Sequence, residues 1–140
     1  MDAWHAGHLF ALGMWGGLVA AEGVVELAPR NDEERRLAAR LHYWMDLLIE
    51  LPILAAVVTT GAMLLGSAWP PSPLVWVKIG AGLLAVAANL WCVVHVIVRY
   101  RQLGDAGALR RHGRLVRLTA TVGLPSAALA LFLGLSHFAG

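Results

Sequence analysis

The stretch LVWVKIGAGLLAVAANLWCVVHVIV, residues 74–98, carries a single charged side chain, that of Lys78. A transmembrane α-helix needs about 20 mostly apolar residues, and this stretch is longer. Three further blocks are similarly long and mainly apolar, at about 4–27, 43–66 and 115–138. The sequence therefore predicts four membrane-spanning helices.

The composition of the whole chain agrees with this prediction. Its 140 residues are 59% hydrophobic and 14% charged, and the mean hydropathy is +0.66. Soluble globular domains contain more charged residues and fewer apolar ones. We expect an all-α fold, a single integral membrane four-helix bundle over residues 1–140. The connectors are short, so any chemistry should lie in or beside the bilayer.

The arginines indicate an orientation, because cytoplasmic connectors of membrane proteins are enriched in basic residues. Ten of the eleven basic residues are arginines in or flanking two connectors: Arg30, Arg35, Arg36, Arg40, Arg99, Arg101, Arg110, Arg111, Arg114 and Arg117. We expect both connectors on the cytoplasmic side of a bacterial-type inner (plasma) membrane, with both termini outside, in the periplasm. The basic residues have no interleaved aromatic platform, which argues against nucleic-acid binding. The first apolar block is expected to be a retained helix rather than a cleaved signal peptide.

The cysteine, two tryptophans and several glycines bear on how the helices pack. The single cysteine, Cys92, excludes disulfides and cysteine-linked haem. Trp15 and Trp91 lie deep in their spans and are expected to pack inside the bundle. Small residues let helices approach closely and favour a tight bundle or a homodimer. On spans one and three these are Gly13, Gly16, Gly17, Gly23, Gly80 and Gly82.

Ionisable residues inside the spans are the strongest functional signal. Each costs roughly 2.5–3.5 kcal/mol on insertion scales, so they mark functional sites by default. In span one, His5, His8, Trp15, Glu22 and Glu26 lie on one helical stripe, since they are separated by multiples of three and four residues. In span two, residues 42, 46 and 50 are four apart and share one face. They are His42, Asp46 and Glu50.

Counting along each helix at about 1.5 Å per residue divides these residues into two layers. The layer nearer the arginines contains Glu22, His42, Asp46 and His95, with Glu50 closer to the middle. The layer nearer the outer face contains His5, His8, Lys78 and His137. Apolar packing is expected between the layers. His112 lies in an Arg-rich connector, where we expect it to be solvated.

Haem b fits such a bundle, because its iron takes an axial imidazole from each of two facing helices. The inner pair would be His42 with His95, and the outer pair His8 with His137, with His5 as a substitute. One or two haems would make the protein a b-type cytochrome for transmembrane electron transfer or haem-dependent oxidation. A quinone or a redox protein would be its electron partner.

A non-haem metal centre is the alternative. Glu22, His42, Asp46, Glu50 and His95 supply two imidazoles and three carboxylates at about one depth. This ligand set suits an iron, copper or zinc ion. Chains of Asp, Glu and His are also typical of proton or metal transporters. Whether the protein is an enzyme stays open.

The motif His8-Leu-Phe-Ala-Leu-Gly-Met-Trp15-Gly-Gly17 resembles the first span of HemJ-type protoporphyrinogen oxidases, and Trp76-Val-Lys78 resembles their Trp-x-x-Lys region. Pro52 and the segment from Arg117 to Pro125 are weaker similarities. Size, span number and span order agree along nearly the whole chain. The chain is also similar, more faintly, to copper-resistance D-type membrane domains.

The resemblance implies a four-span, haem b-binding membrane protein that oxidises protoporphyrinogen IX. It implies that His8 and Lys78 are the important pair, with catalytic roles. The row His42, Asp46 and Glu50 has no counterpart in that family's pattern. The resemblance therefore leaves the inner polar layer unexplained.

Overall fold

The computed structural model of the chain describes residues 3–67 and 69–138, and side chains up to residue 135. Over these residues the chain forms four long helices without any strand: α1 Ala3–Leu27, α2 Asp32–Ser67, α3 Pro73–Arg101 and α4 Ala106–Phe138. All four are long and apolar enough to cross a membrane. The predicted all-α fold with four transmembrane helices is confirmed.

The outer surface of the helices is apolar. Phe10 on α1, Leu48 on α2 and Phe132 on α4 are each about two-thirds exposed. Soluble monomers rarely expose apolar patches of this extent. The protein is therefore a multi-pass membrane protein whose helices face lipid.

Two of the helices begin before the apolar blocks do. Asn31 caps α2, because its side-chain oxygen accepts a hydrogen bond of 2.9 Å from the Glu34 backbone N–H. Asp105 caps α4 and accepts from the backbone N–H groups of Gly107 at 2.8 Å and Ala108 at 3.1 Å. Much of each Arg-rich connector is consequently helical, and short turns at 28–31 and 102–105 complete the two connections.

Helix α2 contains one wide turn. Residues Asp46–Glu50 are π-helical, and the Leu51 N–H bonds to the Asp46 carbonyl. Pro52 follows immediately; its ring crowds the carbonyl four residues earlier and it has no N–H to donate. A π turn accommodates this local defect and often marks a functional site. Both acids at its ends are buried.

The helices are arranged as two antiparallel pairs. Helices α3 and α4 pack along much of their lengths, and α1 packs against the second half of α2. Trp15, Leu54 and Ala85, from three helices, form the central core, which Ala127 of α4 also contacts. We call the end with the turns at 28–31 and 102–105 the Arg-rich end. The other end, where Ser67 and Pro73 flank the α2–α3 connection, is the Pro-rich end.

Candidate metal centre

Besides His112 of α4, six buried ionisable side chains lie between the central core and the Arg-rich end. None is more than 8% exposed, although each is charged or titratable. Helices α1, α2 and α3 contribute them. We call this set the inner cluster: Glu22, Glu26, His42, Asp46, Glu50 and Arg99.

His42 lies at the centre of the inner cluster, with a carboxylate on each side of its ring. Its Nδ1 is 2.6 Å from Glu26 Oε1. Its Nε2 is 3.2 Å from Asp46 Oδ1 and 3.8 Å from Glu22 Oε2. Since a carboxylate accepts at Nδ1, the Nε2 lone pair of a neutral His42 faces the Asp46 and Glu22 oxygens.

Glu26 is itself fixed by an arginine. Arg99 Nη1 donates to Glu26 Oε2 at 2.8 Å, and Nη2 donates to Oε1 at 2.5 Å. This two-pronged geometry orients the carboxylate as well as neutralising it. A Cβ atom at Gly113 of α4 would lie 3.3 Å from Arg99 Nη1. The glycine therefore leaves room for α4 to pack against the ion pair.

Three of these residues have the spacing of metal ligands. One ligand atom each from Glu22, His42 and Asp46 lies within 4.8 Å of the other two. Buried polar atoms normally have hydrogen-bond partners. Here Glu22 Oε1 and both Asp46 carboxylate oxygens are buried without one. A cation among these three side chains would satisfy the oxygens, so the residues present fit a metal ion.

Glu50 lies one turn deeper than Asp46 and has a different partner. The Trp15 indole donates to its Oε1 at 3.0 Å, and Glu50 is 2% exposed. Nearby on α3, the amide nitrogen of Asn89 is buried without a hydrogen-bond partner. Glu50 therefore extends the polar cluster to the central core but lies outside the three-residue ligand group.

His95 contacts a second histidine on α4. Its Nδ1 lies 3.3 Å from His112 Nδ1, and the Trp91 ring meets it edge-on with centroids 5.2 Å apart. His112 is 7% exposed within α4, so the expectation of a solvated connector residue is wrong. The expectation that Trp91 packs inside the bundle is wrong too, because it is 60% exposed. The structure does not bring His95 into the ligand group with His42.

A smaller polar group, which we call the outer site, lies toward the Pro-rich end: His8, Thr60 and Lys78. His8 Nδ1 is 2.8 Å from Thr60 Oγ1, and that hydroxyl donates to the Ala56 carbonyl at 2.7 Å. When the hydroxyl proton is on the side of the Ala56 carbonyl, a neutral His8 donates from Nδ1 and keeps the lone pair on Nε2. Lys78 interacts electrostatically with His8.

The remaining predicted outer-layer residues are His5 and His137. His5 lies about one turn from His8 on α1, is partly buried and also interacts with it electrostatically. The side chain of His137 lies outside the described residues. Lys78 packs on α4, where a Cβ atom at Gly134 would be 3.2 Å from the Lys78 Nζ atom.

The glycines singled out from the sequence do not mediate helix contacts within the chain. A Cβ atom at Gly13, Gly16 or Gly17 would meet nothing within 4 Å, and the same holds for Gly23, Gly80 and Gly82. The expectation that they tighten the bundle is wrong. Three other glycines lie close to side chains of the two polar groups: Gly61 to His8, Gly113 to Arg99 and Gly134 to Lys78.

Two members of the inner cluster, Glu26 and Arg99, were not predicted as site residues from the sequence. Glu26 lies on the same stripe as Glu22, so its helical position could have identified it. Arg99 was used only to predict the orientation in the membrane, because it lies among the connector arginines. Nothing in the sequence alone indicates that its side chain pairs with Glu26 of α1.

Comparisons of the chain with protein-family models, with curated proteins and with solved structures found no match. The similarity to HemJ-type oxidases and to copper-resistance D-type domains thus stays a prediction from motifs.

Proposed function

We propose that the protein is a membrane metalloprotein whose inner cluster binds one divalent transition-metal ion through Glu22, His42 and Asp46. One observation carries the proposal. Three ligand atoms from two helices lie within 4.8 Å of one another, and buried carboxylate oxygens beside them lack any hydrogen-bond partner. A metal ion supplies what these oxygens lack.

The surroundings of His42 support the same conclusion. Histidines that ligate metals almost always donate their other ring N–H to a carboxylate or carbonyl, which fixes the tautomer and the ring orientation. Glu26 accepts from His42 Nδ1 at 2.6 Å, and the two hydrogen bonds from Arg99 hold Glu26 in place. His42 Nε2 is thereby aimed at the two remaining carboxylates.

Charge balance also favours a divalent ion. Inside a membrane, uncompensated charge is expensive. Glu26 and Arg99 form an ion pair, so their charges cancel. The two carboxylates of Glu22 and Asp46 would balance a dication bound to a neutral His42. Glu50, held by Trp15, completes a neutral cluster when it is protonated.

The ligand set selects a class of metal. One imidazole with two carboxylates suits iron(II) or zinc, and copper(II) shares part of this preference. Three protein ligands leave coordination positions for water or a substrate, as in catalytic rather than structural sites. Lys78 lies toward the other end of the bundle, and its positive charge would repel metal ions. Passage of metal ions through the bundle is therefore disfavoured. We therefore propose a resident metal centre in preference to a metal or proton transporter.

Metal content tests the proposal. Protein purified in detergent is loaded with zinc, iron(II) or copper(II) in separate samples, freed of excess ion and analysed by mass spectrometry of the elements. We expect about one ion per chain for at least one metal. Glu22→Gln and Asp46→Asn should lose it, whereas Glu33→Gln, an exposed acid on α2, should retain it. Equal metal contents in all four proteins would overturn the assignment.

The transporter alternative makes a different prediction. Protein that binds no metal but moves protons or metal ions into proteoliposomes would favour it. Asp46→Asn and Glu50→Gln should then abolish the flux. A resident centre predicts bound metal and no flux above that of empty vesicles.

Haem b is the second candidate, and the outer site favours it. An axial imidazole must present a nitrogen lone pair to iron, and the tautomer in which His8 Nδ1 donates to Thr60 leaves its Nε2 in that form. Lys78 beside it matches the pair that the HemJ-type resemblance implies. Purified protein with a Soret band that His8→Ala removes, and with protoporphyrinogen oxidation that Lys78→Ala removes, would support haem. Colourless protein would exclude it.

The orientation and assembly predicted from sequence are also proposals. With the Arg-rich end in the cytoplasm of a bacterial inner membrane, both termini would lie in the periplasm. Single cysteines placed at Glu33 and at Ser72 in a Cys92→Ser background would report opposite sides to an impermeant reagent. The outward-facing glycines of α1 could contact a second copy, so we propose a homodimer; Gly16→Leu should lower its measured mass in detergent.

A further inference from the structure

We propose that a pocket at the Arg-rich end binds the phosphate group of an anionic phospholipid. The pocket has a volume of about 350 Å³ and lies among all four helices. Six charged residues line it: Glu26, Arg35, Arg99, Arg110, Arg114 and Arg117. Five of the six are arginines, so the pocket attracts anions.

The acids nearby do not cancel this charge. Glu26 pairs with Arg99, and Asp32 pairs with both Arg35 and Arg110. Arg114 and Arg117 have no acidic partner among the described residues. The pocket therefore keeps a positive charge when every internal ion pair is formed.

Two arginines of the lining offer unused hydrogen-bond donors as well as charge. Arg114 and Arg117 line the pocket, are exposed, and have no side-chain hydrogen bond among the described residues. Guanidinium groups recognise phosphate oxygens through several N–H donors held in one plane. Phosphate oxygens in the pocket would accept hydrogen bonds from these two side chains.

The surroundings favour a lipid as the source of the phosphate. The pocket lies at an end of a membrane-spanning bundle, where lipid headgroups are found. Leu27, also in its lining, is 75% exposed and offers an apolar surface to an acyl chain. Basic pockets between transmembrane helices are known to hold anionic headgroups. The inference does not depend on a metal in the inner cluster, although Glu26 and Arg99 belong to both sites.

Native mass spectrometry of the detergent-purified chain tests the proposal, with phosphatidylglycerol and phosphatidylcholine titrated separately. The wild-type chain should bind phosphatidylglycerol at least roughly tenfold more tightly, and Arg114→Gln/Arg117→Gln should lose most of that preference. Arg40→Gln/Arg101→Gln is the matched control: it removes the same charge from exposed positions outside the pocket lining and should retain the preference.

Three outcomes would overturn the proposal. The first is equal binding of the two lipids by the wild-type chain. The second is an equal loss of preference in the control variant, which would indicate surface charge alone. The third is displacement of the lipid by millimolar inorganic phosphate, which would indicate a site for free phosphate. Arg114→Gln and Arg117→Gln tested singly should each lose part of the preference, and they replace the double variant if it fails to purify.

Discussion

The inner cluster and the outer site are both polar groups inside the bundle, but they are built differently. The inner cluster has six residues that are at most 8% exposed; hydrogen bonds and close charge pairs join five of them, and Trp15 holds the sixth, Glu50. The outer site has one hydrogen bond between helices, from His8 to Thr60, and its residues are only partly buried. A network of opposite charges lets acids and a base share a buried site, whereas an isolated polar pair is held by one bond.

This difference indicates separate roles. Burial away from water strengthens electrostatic interactions, so removing one partner of the inner cluster leaves a costly uncompensated charge. The outer site can lose its hydrogen bond with little effect on its neighbours. Substitutions in the two sites should therefore differ in the size of their effect on stability and in whether they change metal binding.

Arg99→Met should have the largest effect on stability, because the buried Glu26 carboxylate would lose both hydrogen bonds from Arg99 and the charge that balances its own. We expect a loss of about 3–5 kcal/mol in the free energy of unfolding. Unfolding in mixed detergent micelles measures it. Arg101→Met removes an exposed arginine from the same end of α3 and should change the value by less than about 0.5 kcal/mol. Similar losses in both variants would show that the Glu26–Arg99 ion pair contributes no more to stability than an exposed arginine does.

Glu26→Gln should weaken metal binding without removing any proposed ligand. Loss of an outer hydrogen-bond partner of a ligating histidine typically lowers metal affinity about 10–100-fold. Competition against a chelator of known affinity measures the change, and far-UV circular dichroism checks that the variant stays helical. His8→Gln, which lies in the outer site, should leave the affinity unaltered. An unchanged affinity in Glu26→Gln would remove His42 from the ligand set.

The fold and the layering could be read from the sequence, and much of the site could not. Apolar block length predicts spans, and spacing of four residues predicts that His42, Asp46 and Glu50 share a face. Those properties are local to one helix. The pairing of Arg99 with Glu26, and of His95 with His112, depends on how helices rotate against each other. That rotation is set by packing at contacts such as Trp15 on Leu54, for which one sequence has no local signal.

The prediction of helix ends from the sequence was limited for another reason. Hydropathy detects where a helix enters lipid, whereas Asn31 and Asp105 determine where it begins. His112 was thus placed in a solvated connector although it lies on the buried side of α4. The Asn31 cap indicates from the sequence that α2 begins before its apolar block, and Asp105 was the corresponding signal for α4.

Thr60→Val should have a smaller effect, confined to the outer site. It removes the acceptor of the His8 hydrogen bond at nearly constant volume, so we expect a loss of about 1 kcal/mol in unfolding free energy. Thr59→Val is the control, since Thr59 is the exposed neighbour on the same helix. The metal content of both variants should equal that of the wild-type chain. A metal loss in Thr60→Val alone would couple the two sites.

The smallest effect should come from Asp105, outside the membrane-spanning segments. The backbone N–H groups of Ala108 and Gly107 donate to its carboxylate and, with nearby arginines, hold the pKa of Asp105 below its usual value. A carboxyl whose pKa is depressed by folding stabilises the fold above its unfolded pKa and loses this contribution as the pH falls through the folded pKa. Asp105→Asn should therefore flatten the acid limb of a stability-against-pH curve. An identical curve would show that the cap carries no charge-dependent stability.

X-ray absorption spectroscopy of the metal-loaded chain tests the central claim most directly. If Glu22, His42 and Asp46 hold the ion, the spectrum should contain a first shell of nitrogen and oxygen, with the outer-shell scattering of one imidazole, and this scattering should vanish in His42→Ala. A spectrum without imidazole scattering, or with the four nitrogens of a porphyrin, would contradict a metal centre in the inner cluster.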